Sequence, residues 1–124
     1  MGNQLALIVE DDRDQAALFA RALQTAGFET EVARAGDTAL ARLAAVVPDV
    51  VVLDLGLPQV LGTDVLHQIR NDPRLANTQV IVVTGDPSRA ESLHGKADLV
   101  LLKPIGFNQL CDLAARLLLA PQDE

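Results

Sequence analysis

Val50-Val51-Val52-Leu53-Asp54-Leu55-Gly56 opens with a run of four aliphatic residues that stops at an aspartate. So short and unbroken an apolar run, rich in β-branched residues, reads as a strand buried on both faces, the habit of a parallel sheet. Leu7-Ile8-Val9 repeats the pattern and runs into Glu10-Asp11-Asp12. The carboxyl ends of neighbouring parallel strands converge on one crevice, so these acids crowd together there. At about 5 Å and an effective dielectric near 20, each like-charge pair costs roughly 3 kcal/mol. Function is the reason to keep such a cluster, and a divalent metal is its natural relief.

Outward from these two strands the chain alternates strand and helix. After the strand Leu5–Val9, Asp12 followed by Gln15 resembles a capping box, opening a helix with apolar Ala16, Phe19, Ala20 and Leu23 and ending near Gly27. Glu29–Ala33 is a second strand. Asp37 caps a helix whose buried stripe is Leu40, Leu43, Ala44 and Val47, with Pro48 as the stop. Val50–Leu53 is the third strand. Gly56, Pro58 and Gly62 mark a loop before a short helix carrying Val65, Leu66 and Ile69, closed near Asn71-Asp72-Pro73. Val80–Val83 is a fourth strand, residues 87 to 94 a weak helix, and Leu99–Leu102 a fifth buried strand. A last helix carries the stripe Phe107, Leu110, Cys111, Ala114, Leu117 and Leu118. This alternation predicts an α/β fold with a parallel sheet covered on both faces.

The 124 residues suit one domain, residues 1–124, and the 49% hydrophobic content excludes a disordered chain. With 2% aromatic residues the core must be aliphatic. A net charge of −7 opposes nucleic-acid binding. No apolar run reaches the length of a membrane helix, and the lone Cys111 makes no internal disulfide, so a cytoplasmic protein is expected. Ala120-Pro121-Gln122-Asp123-Glu124 reads as a frayed end.

The strand ends carry few polar residues: Glu10 and Asp11 after the first, Asp54 after the third, Thr84 after the fourth, and Lys103-Pro104 after the fifth. Carboxylates in this number suit Mg²⁺ (or Mn²⁺), which takes one or two carboxylates and keeps room for water and phosphate oxygens. Lys103 adds a point positive charge and Thr84 a hydrogen-bond donor. Phosphoryl transfer to a carboxylate needs this set, with Asp54 as nucleophile and Gly56 free to turn its carbonyl towards a metal.

On these residues the chain resembles a response-regulator receiver domain of two-component signalling. The acidic pair matches Glu10-Asp11 in LIVEDD, and the phosphoacceptor and its loop match DLGLPQVLG from Asp54 to Gly62. The hydroxyl position matches Thr84-Gly85, and the lysine-proline pair matches Lys103-Pro104. The resemblance covers essentially the whole chain. It implies a doubly wound, flavodoxin-like α/β/α fold with a five-stranded parallel sheet of order 2-1-3-4-5. It implies phosphorylation of Asp54 by a sensor histidine kinase or histidine phosphotransfer protein. Mg²⁺ would be held by Asp11, Asp54 and the Gly56 carbonyl, and by Glu10 through water. Thr84, Gly85 and Lys103 would meet the phosphoryl group, with Pro104 a candidate cis-peptide shaping the loop. Output would be an altered surface for a downstream protein, with neither nucleic acid nor membrane as a partner.

Two departures stand out. The family usually carries Tyr or Phe three residues before the lysine, as a rotamer switch coupled to the hydroxyl residue; here that position is Val100. The interval from Thr84 to Lys103 is also shorter than usual by about one helical turn. Both fall on the face through which family members often signal, which leaves an alternative: a receiver-like binding module that does not use phosphate. An enzyme is not expected. An aspartate-nucleophile hydrolase would want an acid where Gly56 stands, and a flavin protein would want no acids after the first strand. Asp12, Asp37 and Asp64 read as caps or surface residues. Cys111 reads as a small core residue, His67 and His94 as solvent-facing, and Asp86 as either a turn residue or a residue that tunes phosphate lifetime.

Overall fold

The computed structural model describes residues 4–57 and 62–119, the side chains of Leu118 and Leu119 excepted. Pro58 of the expected loop and the expected frayed end fall outside the described residues.

Five strands, β1 (Leu5–Val9), β2 (Glu29–Ala33), β3 (Val50–Asp54), β4 (Gln79–Thr84) and β5 (Leu99–Leu102), form one parallel sheet in the order β2-β1-β3-β4-β5. Between and after them lie α1 (Arg13–Thr25), α2 (Gly36–Ala45), α3 (Gly62–Asn71), a 3₁₀ turn at Pro73–Leu75, α4 (Pro87–Ser92) and α5 (Phe107–Leu119). Alternate residues of each strand point to opposite faces. Leu7, Val9, Val51, Leu53, Val80 and Val82 therefore join Leu43 of α2 and Val65, Leu66 and Ile69 of α3 in one buried layer. Ala6, Ile8, Val50, Val52, Ile81 and Val83 join Phe19 and Leu23 of α1 and Leu110 and Ala114 of α5 in the other. Both layers are almost wholly aliphatic, and each fully buried Val, Leu or Ile contributes about 1.5–3 kcal/mol relative to exposure. No helix among the described residues is long and apolar enough to cross a membrane.

Local signals explain most boundaries. The Asp12 carboxylate accepts from the Gln15 amide at 2.9 Å and caps α1. Gly27 ends the segment with φ of 112°, a backbone state that side-chain-bearing residues rarely adopt. Gly62, at the start of α3, is required for a different reason: a Cβ there would lie 2.6 Å from the Asp54 carbonyl oxygen and 2.6 Å from Leu55 Cα. The helix thus begins in direct backbone contact with the end of β3.

Three expectations are corrected. Asp37 does not cap α2: the helix already begins at Gly36, with Ala35 in the cap position, and Asp37 instead accepts from the Thr38 amide at 2.7 Å. The buried side of α2 is Gly36, Ala39 and Leu43 with Leu40 half-buried, while Ala44 and Val47 are exposed, because the helix stops at Ala45 before its last turn can reach the sheet. Nor is β5 a buried strand. It forms one edge of the sheet and is only half-covered, with Leu102 46% exposed, because the six-residue α4 contributes no buried side chain. His67 and His94 are exposed, as expected, and Cys111 packs half-buried against the α1–α5 layer.

Candidate functional site

The carboxyl ends of β1, β3 and β4 and the residue after β5 meet in an open cleft of about 550 Å³. Glu10, Asp11, Asp54, Gly56, Thr84, Gly85 and Lys103 all line it, so the sequence-derived set is brought together. Val100 is not: it faces α4 from β5, in a separate groove of about 210 Å³ with Ala90, His94 and Leu102.

Asp54 is the last residue of β3 and is buried to 5% exposure between β1 and β4. Its Oδ1 accepts from the Gly56 amide at 3.0 Å and lies 3.4 Å from Lys103 Nζ. Lys103 is aimed at the cluster by its backbone, whose amide donates to the Thr84 carbonyl at 2.8 Å, and the Lys103-Pro104 peptide is cis. Its ammonium also stands 3.6 Å from Glu10 Oε1, so one cation serves two carboxyls.

Glu10, 1% exposed, is the most strained group of the site. Its Oε2 accepts from the Asp12 amide at 3.2 Å, but its buried Oε1 has no hydrogen-bond partner. Burial pushes its carboxyl up to about 7. The Asp12 amide opposes that shift, the Asp54 charge adds to it, Lys103 opposes it, and a hydrogen bond with Asp54 adds again. One oxygen each from Glu10, Asp11 and Asp54 lies within 4.8 Å of the others, a donor set that fits a hard divalent cation. Lys103→Met is expected to drive the Glu10 carboxyl further above 7, which carboxyl-carbon NMR titration would read; an unchanged titration would mean that Lys103 does not hold this cluster.

Thr84, at the end of β4, is buried, and its Oγ1 accepts from the Asp86 amide at 3.1 Å, which leaves the hydroxyl proton free to donate into the cleft. Asp86 caps α4 through the Ser88 amide at 2.9 Å. Gly85 borders the cleft with open space where a Cβ would stand.

Two cations at the site were not read from the sequence. Arg34, just past β2, donates through Nε and Nη2 to the Asp11 carbonyl, each at 3.2 Å, and so fixes the backbone of the acidic loop. Arg89 of α4 lines the cleft directly. The only signal for either was a basic residue shortly after a strand end.

The response regulator receiver domain model matches residues 6–115. Among curated relatives, the sensory transduction protein RegX3 of Mycobacterium tuberculosis is 37% identical over 107 residues, 84% of this chain and 46% of that protein. This chain spans about half the length of several such relatives. A CheY-like receiver domain from Methylobacillus flagellatus superposes with a TM-score of 0.83 at 28% identity, covering 94% of this chain and 99% of that one. TrrA from Thermotoga maritima, solved in complex with Mg²⁺ and beryllofluoride, superposes with a TM-score of 0.81 at 26% identity over 92% of this chain and 98% of its own. Strand order, strand-end chemistry and these likenesses agree, and the chain belongs to the response-regulator receiver domains, the phosphorylation-controlled signalling modules of two-component systems.

Proposed function

We propose that Asp54 accepts a phosphoryl group, in a Mg²⁺-dependent reaction, from a histidine kinase or histidine phosphotransfer protein, and that the modified domain binds a downstream protein differently. The observation that carries this is the Asp54 carboxylate itself, buried at a rigid strand end with Lys103 Nζ 3.4 Å away and two further carboxyls beside it. An Asp54 oxygen forms the new bond to phosphorus as the donor's nitrogen–phosphorus bond breaks, and that electron pair returns to the imidazole, which takes up a proton. Lys103 then neutralises charge on the transferred oxygens, and the Thr84 hydroxyl donates to one of them.

Asp11, Asp54 and the Gly56 carbonyl would hold Mg²⁺, with Glu10 reaching it through water; the buried Glu10 Oε1, which accepts no hydrogen bond and has only the Lys103 ammonium at 3.6 Å, supports this assignment. When bound, the ion offsets negative charge on the carboxylates and the incoming phosphoryl group. TrrA, with its Mg²⁺ and beryllofluoride, is a precedent for the chemistry. Receiver domains are signalling modules rather than enzymes in the ordinary sense, and the proposal needs only this self-modifying step.

The test is an amide NMR titration with beryllofluoride, a phosphoryl mimic. Shifts around Asp54, Thr84 and Lys103 that require Mg²⁺ and vanish in Asp54→Asn are expected. Shifts without Mg²⁺, or retained in the variant, would overturn the assignment of roles.

A further inference from the structure

Val100, on β5 three residues before Lys103, has no ring or hydroxyl to move. The nearest element is nevertheless built to respond. Helix α4 has six residues, none of them buried, and its start is tied to Thr84 through the Asp86 amide. Beneath it the groove of about 210 Å³ against Val100 and Leu102 leaves space on the β5 side. A helix so lightly packed is displaced at low cost.

Arg89 is the one residue of this helix that reaches the phosphoacceptor cleft. It is half-buried, and among the described residues its guanidinium makes no hydrogen bond or ion pair. Among the described residues it is, apart from Lys103, the only cation lining that cleft, against five carboxyls: Glu10, Asp11, Asp12, Asp54 and Asp86. Phosphorylation would replace the single charge of Asp54 with a group of about −2 charge. A guanidinium fork pairs with phosphoryl oxygens in bidentate fashion, more strongly than with a lone carboxylate oxygen.

Resting on the phosphoacceptor reading above, we infer that Arg89 is a second cation for the phosphoryl group on Asp54, and that by closing on it Arg89 carries α4 with it. The helix moves because its own side chain binds the phosphoryl group, and the α4–β5 groove changes shape as it does. Lys103 sits on the rigid sheet side and cannot transmit such a movement.

The experiment compares wild type, Arg89→Ala and Arg89→Lys by intact mass after treatment with acetyl phosphate and Mg²⁺, and by amide hydrogen exchange with and without beryllofluoride and Mg²⁺. Wild type should gain exchange protection across α4. Arg89→Ala should still acquire the Asp54 adduct, bind beryllofluoride about tenfold more weakly, the worth of one charge-assisted hydrogen bond, and lose the α4 protection. Arg89→Lys should recover part of the affinity and less of the protection, because an ammonium lacks the fork. An α4 that gains no protection in wild type, or gains it equally in Arg89→Ala, overturns the inference while leaving the phosphoacceptor reading intact. No adduct on wild-type Asp54 defeats that reading instead, and this inference with it.

Discussion

Glu10→Gln is expected to stabilise the metal-free protein by about 3 kcal/mol at pH 8 and to leave its stability nearly unchanged at pH 4. The Glu10 carboxyl holds its proton up to about 7 in the folded state, against an ordinary value of 4.5. Between those two values the folded protein binds a proton that the unfolded chain has released, so stability falls as pH rises through this window. Above pH 7 the whole penalty is present, and a shift of this size corresponds to about 3 kcal/mol. Glutamine keeps an acceptor for the Asp12 amide and a donor towards Asp54, yet carries no charge. Chemical denaturation in the presence of a chelator at both pH values would measure it. Saturating Mg²⁺ should narrow the gap at pH 8 by stabilising the wild type. A variant no more stable than wild type at pH 8 would mean that the buried carboxyl is not strained, and would remove the main physical reason for a cation at this cluster.

The second large effect is expected at Gly62. A methyl group there would lie 2.6 Å from both the Asp54 carbonyl oxygen and Leu55 Cα, and backbone cannot swing aside as a flexible side chain can. Gly62→Ala should therefore cost about 3 kcal/mol, the upper part of the range for overpacking. Relief requires moving α3 away from β3 or moving the end of β3 itself, so the damage should extend to the geometry around Asp54. The measurement is paired: denaturation for stability, and beryllofluoride titration of the folded fraction for the site. Gly85→Ala is the matched control, because a Cβ at Gly85 meets nothing within 4 Å. Equal stability of the two variants would show that the close approach at Gly62 is not a real constraint.

The central strands are legible in the sequence because a short, unbroken aliphatic run that stops at an acid suits a buried strand and little else. The site is legible because its residues are the last polar groups of those strands. In the sheet the register sets Asp54 beside Val83 and Thr84 beside Leu102. What the sequence hides is relational. Leu99–Leu102 is as apolar as Val50–Leu53, and only the shortness of the neighbouring helix leaves it half-exposed. Gly62 reads as one more loop glycine, since its demand comes from a backbone approach made by another element. Arg34 grips the acidic loop from 23 positions away, a distance along the chain that no local pattern encodes. Arg89 lies in a segment too short to show a helical period. The cap of α2 falls at Ala35 rather than Asp37 because the Asp37 carboxylate has a good local partner in the Thr38 amide, which satisfies it without making it the cap.

Phosphoryl transfer to Asp54 is the claim on which the rest depends. Intact-mass analysis after incubation with acetyl phosphate and Mg²⁺, followed by peptide mapping, should find one phosphoryl group on wild type, located on Asp54, absent when Mg²⁺ is chelated and absent in Asp54→Asn. A protein that stays unmodified under these conditions, or carries the group on another residue, would contradict the account.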